Sequence, residues 1–258
     1  MLDLTDLDTP IGIVCAMAQE QELLVAAMGD PAVLPGVGLE ARRGRLDGRE
    51  VVVAAAGVGK VRAAGTATLL VERFGCRALV LSGVAGGLSA SLGIGDLVIA
   101  DRVIDVDYGR LTDARRLVYQ PGTLPLPGAR PDPGYRLPDD TAERVRARLA
   151  ATGLAATLGT VLTGDAFLAS VRLRDELAAR WSALAIEMEG SAVCGVAERF
   201  GVPWLIVRAI SDRAGDESAT DFTAFLSQAA AASARLVREL LPVFDSMPPG
   251  NSDMSVVD

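Results

Sequence analysis

The side chains in this sequence that could move protons are carboxylates, and they collect where apolar runs end. Glu20 and Glu22 follow the run at 11–16, and Glu187 and Glu189 stand two apart where the run at 184–188 closes. Asp212 follows Ser211 at the end of the nearly all-apolar run 203–210, with Arg208 four residues before it. The 258 residues include no histidine. That excludes a Ser-His-Asp triad, a Cys-His pair, a His-ligated zinc and an imidazole proton shuttle. Acid–base work falls to carboxylates, lysine, tyrosine, cysteine or bound water. If extended geometry continues past Glu187, then Glu187 and Glu189 face one side. Taken singly, each acid reads as a helix cap or a solvated charge. Their joint placement reads as a site, and two carboxylates in unlike surroundings can divide into acid and base.

Two glycine-rich stretches lie beside these acids. GVG at 57–59 follows an apolar run and precedes a helix, but lacks the third glycine of a dinucleotide fingerprint and the Gly-Lys-Ser/Thr of a phosphate loop. It either turns a strand closely into a helix or lets backbone approach a small ligand. SGVAGG at 82–87 is either a tight turn or a stretch of backbone laid against a flat ligand or an anion. Aromatic residues are scarce, so Phe167 in TGDAF (163–167) and Phe222 stand out as core or as stacking faces for a planar base. The residues alone describe an α/β enzyme with a carboxylate-based site for a flat ligand.

The elements that must position them alternate. Strand-like runs at 11–16, 51–56, 78–81, 97–106, 157–162, 184–188 and 203–210 are interleaved with helical patterns at 19–28, 61–74, 139–152, 189–200 and 221–241. Asp139 or Asp140 is expected to cap its helix, and Gly75, Gly153 and Gly201 to end theirs. Strands that are apolar on both faces, separated by helices, indicate an α/β fold whose sheet is covered on both sides. Ligands of such sheets gather beyond the carboxyl ends of the strands. The proline- and glycine-rich segment 120–138 reads as a long irregular loop of lid or interface type. The expected organisation is a disordered arm at 1–10, one domain at 11–245 and a disordered tail at 246–258.

Composition narrows the partners. A net charge of −8 argues against a nucleic-acid partner. No apolar run approaches the roughly 20 residues that span a bilayer, so no membrane partner is expected, and the N-terminus has no secretory pattern. Cys15, Cys76 and Cys194 are scattered in apolar stretches and read as core residues of a cytoplasmic protein.

IGIVCAMAQEQELL (11–24), AGVGKVRAAGTATLL (56–70), SGVAGGL with LGIGDLVIADR (82–102), TGDAFL (163–168), AIEMEGSAVCGVAERFGVP (185–203) and VRAISDRAGD (207–216) resemble the 5′-methylthioadenosine/S-adenosylhomocysteine nucleosidases of the nucleoside phosphorylase superfamily. The likeness covers nearly the whole chain in the same order. It implies a single-domain, three-layer α/β/α fold around a central mixed twisted sheet. It also implies hydrolysis of the bond between adenine N9 and ribose C1′, with no metal or other cofactor, by a homodimer. Residue by residue, Glu20 matches the base that activates water, and Asp212, aided by Ser211, the acid that protonates adenine N7. Glu189 matches the ribose clamp, Arg208 an arginine near the water, and Met17 and Met188 the lining of the sugar site. Phe167 matches the stacking ring, Leu168 the backbone amide that reads the base edge, and Val58 and Phe222 the surroundings of the 5′ substituent. Glu187 and Val84 are counted with the substrate-binding residues.

The sequence departs from the family in two places. Members usually carry serine where this chain has Val84, which removes a hydroxyl near the water. They also carry a His-Asp pair and a threonine-alanine-phenylalanine lid where this chain reads VIDVDYGRLTDARRLVYQPG (103–122). That segment helps form the base pocket and dimer interface in the family, so the substrate range stays open. The rival readings are a phosphorylase, which would place an arginine before the glycine-rich turn where this chain has 78–81 without a cation, and a member that binds adenine nucleosides without turnover.

Overall fold

The computed structural model describes residues 9–35, 38–127, 132–245 and 247. The expected arm and tail lie almost wholly outside them. In chain order the elements are β1 (Ile11–Cys15), α1 (Ala18–Val25), β2 (Gly29–Val33), β3 (Glu40–Leu46), β4 (Arg49–Ala55), α2 (Lys60–Glu72), β5 (Ala78–Gly87) and β6 (Leu97–Asp105). They continue with β7 (Gly109–Leu111), β8 (Arg116–Val118), β9 (Tyr135–Arg136), α3 (Asp139–Thr152), β10 (Thr157–Thr163), α4 (Val171–Trp181), β11 (Ala183–Glu187), α5 (Gly190–Phe200), β12 (Trp204–Asp212) and α6 (Ser218–Leu240).

One mixed sheet organises the chain, in the order β11-β10-β6-β12-β5-β1-β4-β3-β2. Its middle is apolar on both faces: every residue of β1 and of β12 is buried. Each such Val, Leu or Ile contributes about 1.5–3 kcal/mol by leaving water. Helix α2 packs against α5, and α1 against α6, which also covers β12 and β5. The sheet is not left as an open layer. β5 pairs with β12 and β1 and, through Gly86 and Gly87, with β11 in antiparallel register. The circuit β5-β12-β6-β10-β11 therefore closes into a partial barrel, and this closure gathers the strand ends that carry the acids.

Several local expectations change. SGVAGG is not a turn: β5 runs through it to Gly87, because partner strands on both sides satisfy its backbone. Neither Asp139 nor Asp140 caps α3. Pro138 holds the N-cap position and both acids lie in the first turn, where they face the positive end of the helix. Gly153 and Gly201 end α3 and α5 in the left-handed conformation, as their positions predict. The 120–138 segment contributes β9, which pairs with β6; residues 128–131 of it lie outside the described ones.

Other elements carry weak signals. The hairpin of β3 and β4 turns on Asp47 and Gly48, both at positive φ, between the paired Leu46 and Arg49. That is the two-residue Asp-Gly turn whose twist suits a hairpin, and the dipeptide was its readable mark. β2 is exposed throughout, and α4 sets only the half-buried Leu177, Ala178 and Trp181 against the core, so the apolar signal of both is weak. The three cysteines are buried and unpaired. Among the described residues no helix is long and apolar enough to cross a membrane.

Candidate active site

Glu20 is fixed by the way α1 begins. Met17 is the N-cap residue, and Glu20, three residues on, folds back so that its Oε2 accepts the Met17 N–H at 3.0 Å. This is the return half of a capping box, in which the acid satisfies an otherwise orphaned donor. Its Oε1 accepts the Val84 N–H from β5 at 3.2 Å. Burial pushes its carboxyl above the usual range, against the opposing pull of Arg208 and the backbone amides.

Arg208 lies inside β12 with 1 % of its surface exposed. Its Nη2 donates to Glu187 and, at 3.2 Å, to Glu189. Burial works against its charge, but Glu187, Glu189 and Glu20 together outweigh that and raise its pKa. The β5 glycines make room for this group. A Cβ on Gly83 would overlap Arg208 Nη1 and fall 2.7 Å from Glu20 Oε1, and one on Gly86 would lie 3.1 Å from Asp212 Oδ1. The glycines thus let side chains from two other elements cross the strand.

Glu187 and Glu189 converge on Arg208, but not through extended geometry. β11 ends at Glu187, and Glu189 is the N-cap of α5 at φ −132°, ψ −28°. Glu187 turns back onto its own corner. It accepts the N–H groups of Glu189 at 3.0 Å and Gly190 at 2.8 and 2.9 Å, and the Thr163 hydroxyl at 2.5 Å. With Arg208 added, its lone pairs are occupied. Glu187, expected among the substrate-binding residues, is left to hold Arg208 and the corner in place. Glu189 has room to spare: Oε1 accepts the Gly59 N–H at 2.8 Å and Oε2 meets Arg208. Burial raises its pKa, partly offset by Arg208 and reinforced by Glu187.

Asp212 closes β12 at a register shift against β5. Its Oδ1 accepts the Ala214 N–H at 2.8 Å, and its Oδ2 accepts the Ser211 hydroxyl at 2.9 Å. Burial raises its pKa despite these bonds. The Ser211 hydroxyl has a second acceptor in the Ala85 carbonyl at 3.4 Å.

These groups line one cavity of about 530 Å³, together with Met17, Val58, Val84, Phe167, Leu168, Met188 and Phe222. The rings of Phe167 and Phe222 meet edge to face at 5.9 Å on one wall, and Phe167 is 48 % exposed. Every residue expected at the site reaches this cavity, whereas Glu22 is exposed and outside it. Sequence reading missed Thr163 and the crossing role of Gly83. Thr163 stands in the quoted TGDAF motif, and its signal is a hydroxyl at the carboxyl end of β10. Among the described residues the ionisable groups of the lining are Glu20, Glu187, Glu189 and Asp212 against Arg208. Such a cavity suits a neutral, planar, hydroxyl-bearing ligand and a nucleophile without negative charge.

Residues 10–242 match the family model described as the phosphorylase superfamily. A 5′-methylthioadenosine/S-adenosylhomocysteine nucleosidase of Mycobacterium bovis is 42 % identical over 247 residues, covering 90 % of this chain and 97 % of that protein. Among solved structures, the Helicobacter pylori 5′-methylthioadenosine/S-adenosylhomocysteine nucleosidase superposes with a TM-score of 0.82 at 27 % identity, covering 91 % of this chain and 98 % of that one. It was solved with a pyrrolidin-3-ol bearing a 4-amino-pyrrolo[3,2-d]pyrimidine group. A futalosine hydrolase of the same organism gives a TM-score of 0.81 at 28 % identity, over 91 % and 98 % of the two chains.

Proposed function

The chain belongs to the phosphorylase superfamily and, within it, to the 5′-methylthioadenosine/S-adenosylhomocysteine nucleosidases, and from that we propose how its carboxylate cavity works and on what. It hydrolyses the N-glycosidic bond of adenine nucleosides. Adenine leaves poorly as an anion, so Asp212 delivers a proton to N7 and the C1′–N9 electron pair departs with a neutral base. As Asp212 holds that proton, Ser211 turns its own hydrogen to the Ala85 carbonyl. The sugar becomes oxocarbenium-like, a positive charge that the surrounding carboxylates stabilise. Water adds to C1′ and gives up its proton to Glu20, which the Met17 and Val84 amides hold in place.

Glu189 receives the ribose hydroxyls, Phe167 stacks on adenine, and the Leu168 backbone reads its edge. Val58 and Phe222 bound the 5′ substituent, whose preferred form lies among methylthioadenosine, adenosylhomocysteine and their relatives. A homodimer belongs to the same reading and rests on the likeness to the family. The unpaired buried thiols support a reducing, cytoplasmic setting.

The observation that carries water over phosphate is the charge of the cavity. A phosphate dianion near Arg208 would meet Glu187 and Glu189, which already hold that guanidinium, with Glu20 alongside. The protein in phosphate-free buffer is expected to release adenine and free methylthioribose from methylthioadenosine, at a rate that added phosphate does not change. Release only with phosphate, yielding a sugar phosphate, would make it a phosphorylase. Tight binding with no release would make it a binding protein.

A further inference from the structure

Of the 25 lysine and arginine side chains, Lys60 alone is a lysine. It opens α2 directly after Gly59 and is absent from the cavity lining. Its Nζ donates to both oxygens of Asp105, at 3.0 and 3.1 Å, and lies 3.5 Å from Asp107 Oδ2 and 3.7 Å from Asp165 Oδ2. Asp105 is buried and accepts in addition the N–H groups of Asp107 and Tyr108 and the hydroxyl of Ser191, at 2.9, 3.0 and 3.1 Å. Asp107 in turn accepts the Asp165 N–H and, at 3.0 Å, Arg116. The Lys60 backbone N–H donates to Asp165 Oδ1 at 3.0 Å, one residue after the Gly59 N–H that holds Glu189.

This cluster joins the start of α2, the end of β6, the first turn of α5 and the 163–167 turn that ends in Phe167. An ammonium suits it, because a compact charge can donate to Asp105 and Asp107 and still stand within ion-pair distance of Asp165, whereas a planar guanidinium would serve one or two carboxylates. We propose that Lys60 is a positioning residue for adenine recognition: by joining Asp105, Asp107 and Asp165 it fixes the Phe167 turn relative to the backbone that holds Glu189. The stacking ring and the ribose clamp then keep one spacing. The inference rests on the adenine-nucleoside reading above and adds a residue to it.

Lys60→Met keeps the length of the side chain and removes its charge. Asp165→Asn weakens the same joint from a side chain that is 51 % exposed, so it carries the test if Lys60→Met does not fold. Each variant is expected to raise KM for methylthioadenosine by about ten- to a hundredfold while kcat stays within about threefold. A purely structural role would lower the active fraction instead, reducing kcat at constant KM. Calorimetric titration with adenine should show a comparable loss of affinity in both variants. Unchanged KM and unchanged adenine affinity, or a fall in kcat alone, would overturn the proposal. A wild-type protein that binds adenine but releases none would defeat the hydrolase reading while leaving the Lys60 comparison intact.

Discussion

Asp212 has to hold a proton at the pH where the enzyme works, and burial supplies the means by raising its pKa. Turnover should therefore decline on the alkaline side as pH climbs through the folded value. Asp212→Asn cannot donate, and a general acid is worth about 10²–10⁴-fold, so kcat should fall by that order while calorimetry shows nucleoside affinity nearly kept. Near-normal turnover would remove Asp212 as the acid. The same burial has a cost in stability. The folded state holds the proton more tightly than the unfolded chain, so stability is lost as pH rises from the ordinary aspartate value through the raised folded one. The asparagine variant should melt higher than wild type at pH 7 and lose that advantage near pH 4, with each kcal/mol recovered worth about 2–4 °C at this chain length.

At the scale of elements, the site depends on a strand that gives up its side chains. Gly83→Ala would drive a methyl group into Arg208 and Glu20. The displacement of both should lower kcat/KM by about a hundredfold or more. Gly65, exposed within α2 with nothing near its missing Cβ, provides the contrast: alanine there should raise stability by about 0.5–1 kcal/mol in urea unfolding and leave turnover alone. Equal loss of activity in both variants would deny β5 its special part. How far such elements could be read varied with burial. The central strands and most helices show their apolar patterning in the residues. β2 buries nothing and leaves no pattern, α4 shows only the short stripe of Leu177, Ala178 and Trp181, and a glycine run means either turn or strand until its neighbours are known.

The whole molecule adds closure of the sheet, which brings β5, β11 and β12 around one cavity. Filling it should stabilise the entire domain, since a ligand that binds only the folded state at a hundred times its Kd adds about 2.7 kcal/mol. An unreactive adenine nucleoside analogue at that excess should raise Tm by roughly 5–11 °C; a shift below about 1 °C would mean that the folded protein does not take up adenine nucleosides. By itself the sequence determined the alternation of elements, the absence of imidazole chemistry and the acids available for catalysis, because residue type and periodicity are local properties of the chain. Only the tertiary structure decided which acids meet. It separated Glu187, whose oxygens are consumed by Thr163, Gly190 and Arg208, from Glu189, which keeps capacity for a ligand. It also assigned Lys60 its three aspartates. Those distinctions depend on donors brought in from distant strands and helices, and their distances are set by strand order and closure rather than by spacing along the chain.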